Sequence, residues 1–312
     1  EHIQNIYDNN NYYFLHIGDS FGKRVSISQA EELENLEVDF FTERKFYEWE
    51  NQNLKNTGRQ WFGEYFNFNE EYTINFNFHN RLKTEPVRVN ARAVARSDSF
   101  TWLNFAHNGS QVLSVSIGPE TSSEIYVDEG EAFNEFTSMD NTISIDVSYD
   151  KNGSSSAFAY LDYIEMQAKC ELKYNGGQLV FSEPSTVGLG NVTKFNLTSN
   201  TNSLIVWDVT VPAAISRLEV DENLSFKSAT DSLKSFVIHD LNKDSYLNPV
   251  FDAKIENQNL HGHQPADFII VTAPAFLNAA ERLASIHTEQ DGMTVNITTT
   301  EQIYNEFSSG KQ

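Results

Sequence analysis

The chain has 312 residues, of which 39% are hydrophobic and 13% aromatic, including 23 Phe, 13 Tyr and 4 Trp. That supply of apolar side chains excludes a disordered chain and suffices for roughly two packed domains. With 22 basic against 44 acidic side chains the formal charge is −22. Such a surface repels phosphate backbones and anionic headgroups, so nucleic acid and bare membrane are poor partners. No apolar run, Phe268 to Val271 among them, is long enough for a transmembrane segment. The single cysteine, Cys170, excludes an internal disulfide framework, a cysteine zinc site and an iron–sulfur cluster. No export signal follows Glu1, and the chain stops just after a helix-like segment. Both ends read as cuts through a longer protein.

In chain order, residues 1–58 are expected to close an N-terminal β region, 59–182 to form a β-sandwich, and 183–262 to add a β-rich segment and linker. Residues 263–312 then open a different domain. Tyr72, Ile74, Phe76 and Phe78 alternate with Thr73, Asn75, Asn77 and His79, a period of two with one apolar and one polar face. Leu113, Val115 and Ile117 repeat the pattern, as do Ile143, Ile145 and Val147. Longer strands are expected over 158–168 and 204–209. Asn108-Gly109, Asn152-Gly153 and Asn175-Gly176-Gly177 supply the positive φ angles of tight hairpins. Strands about ten residues apart with such turns predict a mainly β chain with an antiparallel, jelly-roll-like sandwich.

The pattern changes near Asn259. Leu260 to Pro265 reads as a linker. Asp267 to Thr272 is a short run, apolar on both faces. Phe276, Ala279, Ala280, Leu283 and Ile286 then recur at helical spacing over 275–289, and Gly292 stops that helix. Met293 to Ile297 reads as a second strand, and Thr300 with Glu301 starts a helix through Phe307. This is β-α-β-α, the opening of a parallel sheet. Strands buried on both faces need further strands and helices beside them, more than this stretch holds.

Asp267 to Thr272, Phe276-Leu277-Asn278-Ala279-Ala280-Glu281-Arg282-Leu283-Ala284 and Gln290-Asp291-Gly292-Met293-Thr294-Val295 resemble the start of a gingipain-type cysteine peptidase domain. Glu301 to Gly310 is similar to the sortase branch of that family, which serves type IX secretion. So are Asn5-Ile6-Tyr7, Asn11 to Leu15, Gly58 to Glu64, and Ala159 to Glu165. The resemblance implies a caspase-like α/β catalytic domain and a cell-surface, outer-membrane-associated protein of a Gram-negative bacterium. It implies protein cargo with a C-terminal sorting signal as substrate, a surface lipopolysaccharide acceptor, and an outer-membrane β-barrel partner. It places the family's catalytic histidine and cysteine downstream of residue 312. No catalytic, cofactor-binding or metal-binding residue is therefore assigned in this chain.

The individual candidates have mostly structural readings. Cys170, in phase with Leu172 and Tyr174, reads as a core thiol. His261-Gly262-His263 imitates a catalytic histidine beside glycine, but precedes the first α/β strand and reads as solvated linker. Asp240, Asn242 and Asp244 have the alternation of a calcium loop, but Ser245 stands where its glycine belongs, so a polar turn is expected. Asp128-Glu129-Gly130-Glu131 reads as an acidic turn. Arg88, Arg92 and Arg96 share a strand face and would dock a carboxylate or pair with neighbouring acids. Trp61, Phe62, Tyr65, Phe66 and Phe68 form either a sugar-stacking platform or sandwich core. The competing overall reading is a carbohydrate-binding or adhesive sandwich. A self-sufficient hydrolase lacks a visible Ser/His/Asp or Cys/His set.

Overall fold

The computed structural model describes residues 8, 10–19, 21–28, 33–54, 60–67, 71–120, 126–242 and 248–311. The chain divides into two compact units, Lys23–Tyr246 and the two chain ends, Glu1–Gly22 with Leu247–Gln312.

The larger unit begins with β1 (Ser26–Ser28), β2 (Leu36–Val38), β3 (Phe40–Glu48), β4 (Tyr65–Phe66) and β5 (Glu71–Asn77). It continues with β6 (Val87–Arg96), β7 (Thr101–His107), β8 (Ser110–Ile117), β9 (Asp128–Phe136), β10 (Thr142–Asp150) and β11 (Phe158–Glu171). Its last strands are β12 (Leu179–Phe181), β13 (Val192–Asn196), β14 (Leu204–Asp208), β15 (Ser216–Leu218), β16 (Ser225–Ala229) and β17 (Phe236–Asp240). One sandwich sheet has the order β3-β11-β6-β9, with β4 also on β11; the other has the order β5-β10-β7-β8. All pairings within both are antiparallel. The chain crosses repeatedly between the sheets, the jelly-roll habit expected from the sequence.

The alternation decides the faces. Ile74, Phe76, Phe105, Ile143, Ile145 and Val147 are buried from one sheet, and Val89, Ala91, Ala93, Ala159, Leu161 and Ile164 from the other. The run of alanines leaves room for the phenylalanines facing it, as close packing requires. The β11–β6 register shifts between Leu161 and Tyr163, with Asp162 as the extra residue. This bulge lets Leu161 and Ile164 both point inward. At Gly130 of β9 an added Cβ would stand 2.3 Å from the Ser116 carbonyl of β8. Only glycine permits the two sheet edges to close together there.

Three turn expectations need correction. Asn108 (φ 50°) and Gly109 (φ 74°) do close the β7–β8 hairpin. Asn152 (φ 48°) and Gly153 (φ 80°) adopt the same left-handed backbone, but β10 and β11 lie in different sheets. Their turn redirects the chain across the sandwich. Gly176 and Gly177 likewise lead from β11 to β12, which pairs with β17. Asp128 to Glu131 is the start of β9 and not a turn.

The remaining strands form the sheets β1-β15-β14-β17-β12 and β16-β13-β2. The N-terminal strands are shared between layers: β1 runs parallel to β15, β2 parallel to β13, and β3 joins the sandwich. Phe181, Phe195, Phe226 and Phe236 pack here, Phe195 stacked on Phe226 at 5.0 Å between ring centroids. Phe181 also meets Phe41 of β3 edge-on at 5.7 Å, so the sandwich and these sheets share one core.

The smaller unit holds β18 (Phe268–Thr272), α1 (Leu277–Asp291), β19 (Val295–Thr299) and α2 (Thr300–Phe307). Strands β18 and β19 pair in parallel, as expected for an α/β opening. Gly292 ends α1 in a left-handed conformation (φ 68°). Thr299 caps α2, with Gln302 completing a capping box.

Phe76→Ala should lower stability by about 3–5 kcal/mol, because it removes a ring from a packed interior. A urea midpoint unchanged by that substitution would contradict the face assignment.

Candidate functional site

The α/β opening is where the chemistry of the family would begin, and its geometry follows from the two strands. His287 of α1 lies against Phe268, with ring centroids 4.8 Å apart. Phe268 and Ile270 therefore share the side of β18 that α1 partly covers. Ile269 and Val271 point the other way and are 62% and 53% exposed. The sequence suggests Phe268, Ile270, Leu283, Ile286, Val295 and Ile297 as the open apolar face. Leu283 and Ile286 are exposed, whereas Ile270, Val295 and Ile297 are half-buried. The most open strand positions are Ile269 and Val271.

The segment before β18 is exposed over residues 261–265, as expected of a linker, but it is also tied to α2. Glu306 of α2 accepts four hydrogen bonds from it: Leu260 N at 2.9 Å, His261 N at 3.0 Å, His261 Nδ1 at 2.7 Å and Gln258 Nε2 at 2.9 Å. The His261 ring also packs on Phe307 at 4.9 Å. The Leu260 amide and the other donors hold the Glu306 carboxyl down at about 2. Residues 258–261 are thus fastened to the last helix, and His261 serves as a structural donor. The sequence conceals this clasp, since 45 residues separate the two partners.

The other candidates lie in the larger unit. Cys170 is fully buried, its Sγ 3.4 Å from a Glu43 carboxylate oxygen. Burial and then the Glu43 charge push its thiol far up, the opposite of an activated thiolate. Asp240 is fully buried and already accepts from Ser203 Oγ, Asn242 N and Thr201 Oγ1 at 2.7, 2.9 and 2.8 Å. Its oxygens hold a polar turn. Asp244 and Ser245 lie outside the described residues, as does Phe68.

The arginine strip belongs to a larger face. Arg92 pairs with Glu129 and, at 3.4 Å, with Asp162. Arg88 lies over Phe133 and Arg96 over Tyr126, at 4.4 and 5.3 Å from the ring centroids. Arg44 of β3 joins them, bound to Glu165 at 2.5 Å. The aromatic cluster divides by strand parity: Phe62 and Phe66 enter the core, whereas Tyr65 stays outside against Tyr160 at 4.8 Å. At the end of this sheet Glu50 is half-buried, and its carboxyl is pushed up to about 7 by burial, then by Glu48 and Asp162.

The fold also assembles a Ser/His/Asp set that is not visible in the sequence. His107 Nδ1 donates to the Ser144 carbonyl at 2.9 Å, leaving Nε2 to accept from Ser138 Oγ at 2.9 Å. Asp140 stands 3.4 Å from that same Nε2. A catalytic triad needs the carboxylate on the other ring nitrogen. Both Ser138 and His107 are buried, and Arg81 donates to the Ser138 and Asp140 carbonyls. The set latches the β7–β8 hairpin to the 138–140 turn.

Residues 261–312 match the model of peptidase family C25. The gingipain-type resemblance read from residues 267–310 is thereby borne out. The crystal structure of dimeric latent PorU from Porphyromonas gingivalis has the same fold, with a TM-score of 0.75 at 23% identity over 92% of this chain. This chain covers 28% of that one. The CBM36-1 domain of a multidomain xylanase from the hindgut metagenome of Trinervitermes trinervoides aligns with 40% of this chain and 96% of its own, at 10% identity and a TM-score of only 0.29. No curated protein sequence matches the chain.

Two titrations follow. The Glu306 carboxyl sits below its unfolded value of 4.5. Its contribution is therefore complete above pH 4.5 and lost as pH falls through about 2. Glu306→Ala should expose the Leu260 and His261 amides to hydrogen exchange at neutral pH. Glu50 is the converse case, since its folded value lies above the unfolded 4.5. It costs stability progressively as pH rises from 4.5 through about 7. Glu50→Gln should stabilise the chain at pH 8 and change little at pH 4, measured by urea unfolding at both.

Proposed function

We propose that this chain is the β-rich, non-catalytic portion and the α/β opening of a cell-surface gingipain-like cysteine peptidase of the sortase type. The whole protein would cleave the C-terminal sorting signal from secreted cargo and pass the cargo to a lipopolysaccharide acceptor. A β-barrel partner would hold it at the outer membrane of a Gram-negative bacterium. The observation that carries this reading is the family C25 match over 261–312, continuing from a β portion with the PorU fold. The chemistry agrees with it. Cys170 is sealed in the core and the Ser138/His107 pair is a latch, which supports a reading in which the nucleophile belongs to another part of a longer protein.

The full-length protein, incubated with a secreted protein ending in its native C-terminal signal, should release that signal. Residues 1–312 alone should give no turnover, and Cys170→Ala should leave the full-length rate unchanged. Cleavage by residues 1–312 that is abolished by Cys170→Ala would overturn the assignment.

A further inference from the structure

The outer face of the β5-β10-β7-β8 sheet is built differently from an ordinary solvated sheet face. At three directly opposed positions β5 and β10 pair a hydroxyl with an amide or carboxylate oxygen. Thr142 Oγ1 donates to Asn77 Oδ1 at 2.6 Å, Ser144 Oγ to Asn75 Oδ1 at 2.6 Å, and Thr73 Oγ1 to Asp146 Oδ1 at 2.7 Å. Strands β7 and β8 repeat the device, Ser114 Oγ donating to Asn104 Oδ1 at 2.8 Å. Each bond consumes the mobile hydroxyl proton and fixes the carboxamide. The carboxamide nitrogens of Asn75, Asn77 and Asn104 have no hydrogen-bond partner among the described residues. The result is an array of oriented donors on a pleated surface with strands about 4.8 Å apart.

One aromatic ring completes the face. Trp102 of β7 projects outward, half-buried, between Asp150 on β10 and Ser116 on β8. Its indole has no ring partner among the described residues, although rings pack on one another throughout the rest of the sandwich. An unstacked indole beside a carboxylate and a hydroxyl offers an apolar plate with acceptors at its rim.

We propose that this face binds a neutral glycan chain, with one sugar ring on Trp102 and the neighbouring sugars across the Asn104 and Asn75 rows. The outward positions of these four strands carry Glu71, Asp146 and Asp150 but neither lysine nor arginine. An acidic face on a chain of charge −22 repels uronic acids, phosphates and nucleic acid. A protein partner would need a desolvated apolar and aromatic centre, which a single indole does not supply. A neutral sugar meets the remaining requirements: many hydroxyls, flat apolar faces and no charge. Because the donors are already held in place, little side-chain freedom is lost on binding. This inference is independent of the peptidase assignment.

Affinity electrophoresis of residues 1–312 through gels containing xylan, a β-glucan or a mannan tests it, with polygalacturonate as the anionic control. At least one neutral polymer should retard the chain and polygalacturonate should not. Trp102→Ala should weaken retardation about tenfold. Asn75→Arg, at an exposed position where folding is undisturbed, should weaken it as well. Tyr65→Ala, on the outer face of the opposite sheet, should have no effect. Absence of retardation by every neutral polymer, retention only by polygalacturonate, or loss in Tyr65→Ala but not in Asn75→Arg would each overturn the proposal.

Discussion

The structure depends on one constraint: an antiparallel sheet must bury one of its faces, and side chains along a strand alternate between faces. Ile143, Ile145 and Val147 are fully buried while Thr142, Ser144 and Asp146 remain at the surface, so a slip of one residue would exchange the two sets. The opposite sheet answers with small residues, Ala91, Ala93 and Ala95 on β6, buried in the same core as Phe76 and Phe105. Register, sheet assignment and the polar outer face all follow from keeping that inner layer dry. The Asp162 bulge is the one place on the central strand where strict alternation gives way. It also brings a buried carboxylate to Arg92, and that carboxylate adds to the rise of the Glu50 carboxyl after burial and Glu48.

What the sequence revealed and what it concealed divide along sequence separation. The sandwich strands, the Gly292 helix stop and the β-α-β-α order are local patterns, and each was readable from periodicity and turn chemistry. Sheet membership was not. Asn152-Gly153 has the dipeptide of a hairpin, and its backbone obeys, yet the strands it joins belong to different sheets. A turn residue dictates φ, and the burial of the next apolar face dictates where the chain goes. The N-terminal strands show the same gap, because β1 and β2 find parallel partners 190 and 157 residues away, Ser26 opposite Ser216 and Leu36 opposite Thr193. The Glu306 clasp escaped for a related reason. A carboxylate collecting amides from a distant segment leaves no periodic trace.

Charge is arranged unevenly on the sandwich. The outer face of the β3-β11-β6-β9 sheet carries Arg44, Arg88, Arg92 and Arg96, each held by a carboxylate, a carbonyl or an aromatic ring. The outer face of the other sheet has no cation at its outward strand positions. In a chain with twice as many acids as bases, concentrating guanidinium groups on one sheet leaves the opposite face dominated by hydroxyls and amides. The two faces therefore suit different partners, although the same alternation produced both.

The α/β opening obeys the same burial rule with a different outcome. Parallel strands are ordinarily covered on both faces, and their sequences are apolar throughout for that reason. Here α1 lies on the Phe268 side of β18, and Ile269 and Val271 on the other side face outward. Phe268-Ile269-Ile270-Val271 is apolar on both sides, and its Phe268 side meets α1 while Ile269 and Val271 stay exposed. The Glu306 clasp shows that the unit is nonetheless locally well determined, with capped helices and the preceding segment bonded to α2. Its order comes from hydrogen bonds and caps, and the exposed Ile269 and Val271 leave the second side of an apolar strand at the surface, the reverse of what a parallel strand ordinarily shows.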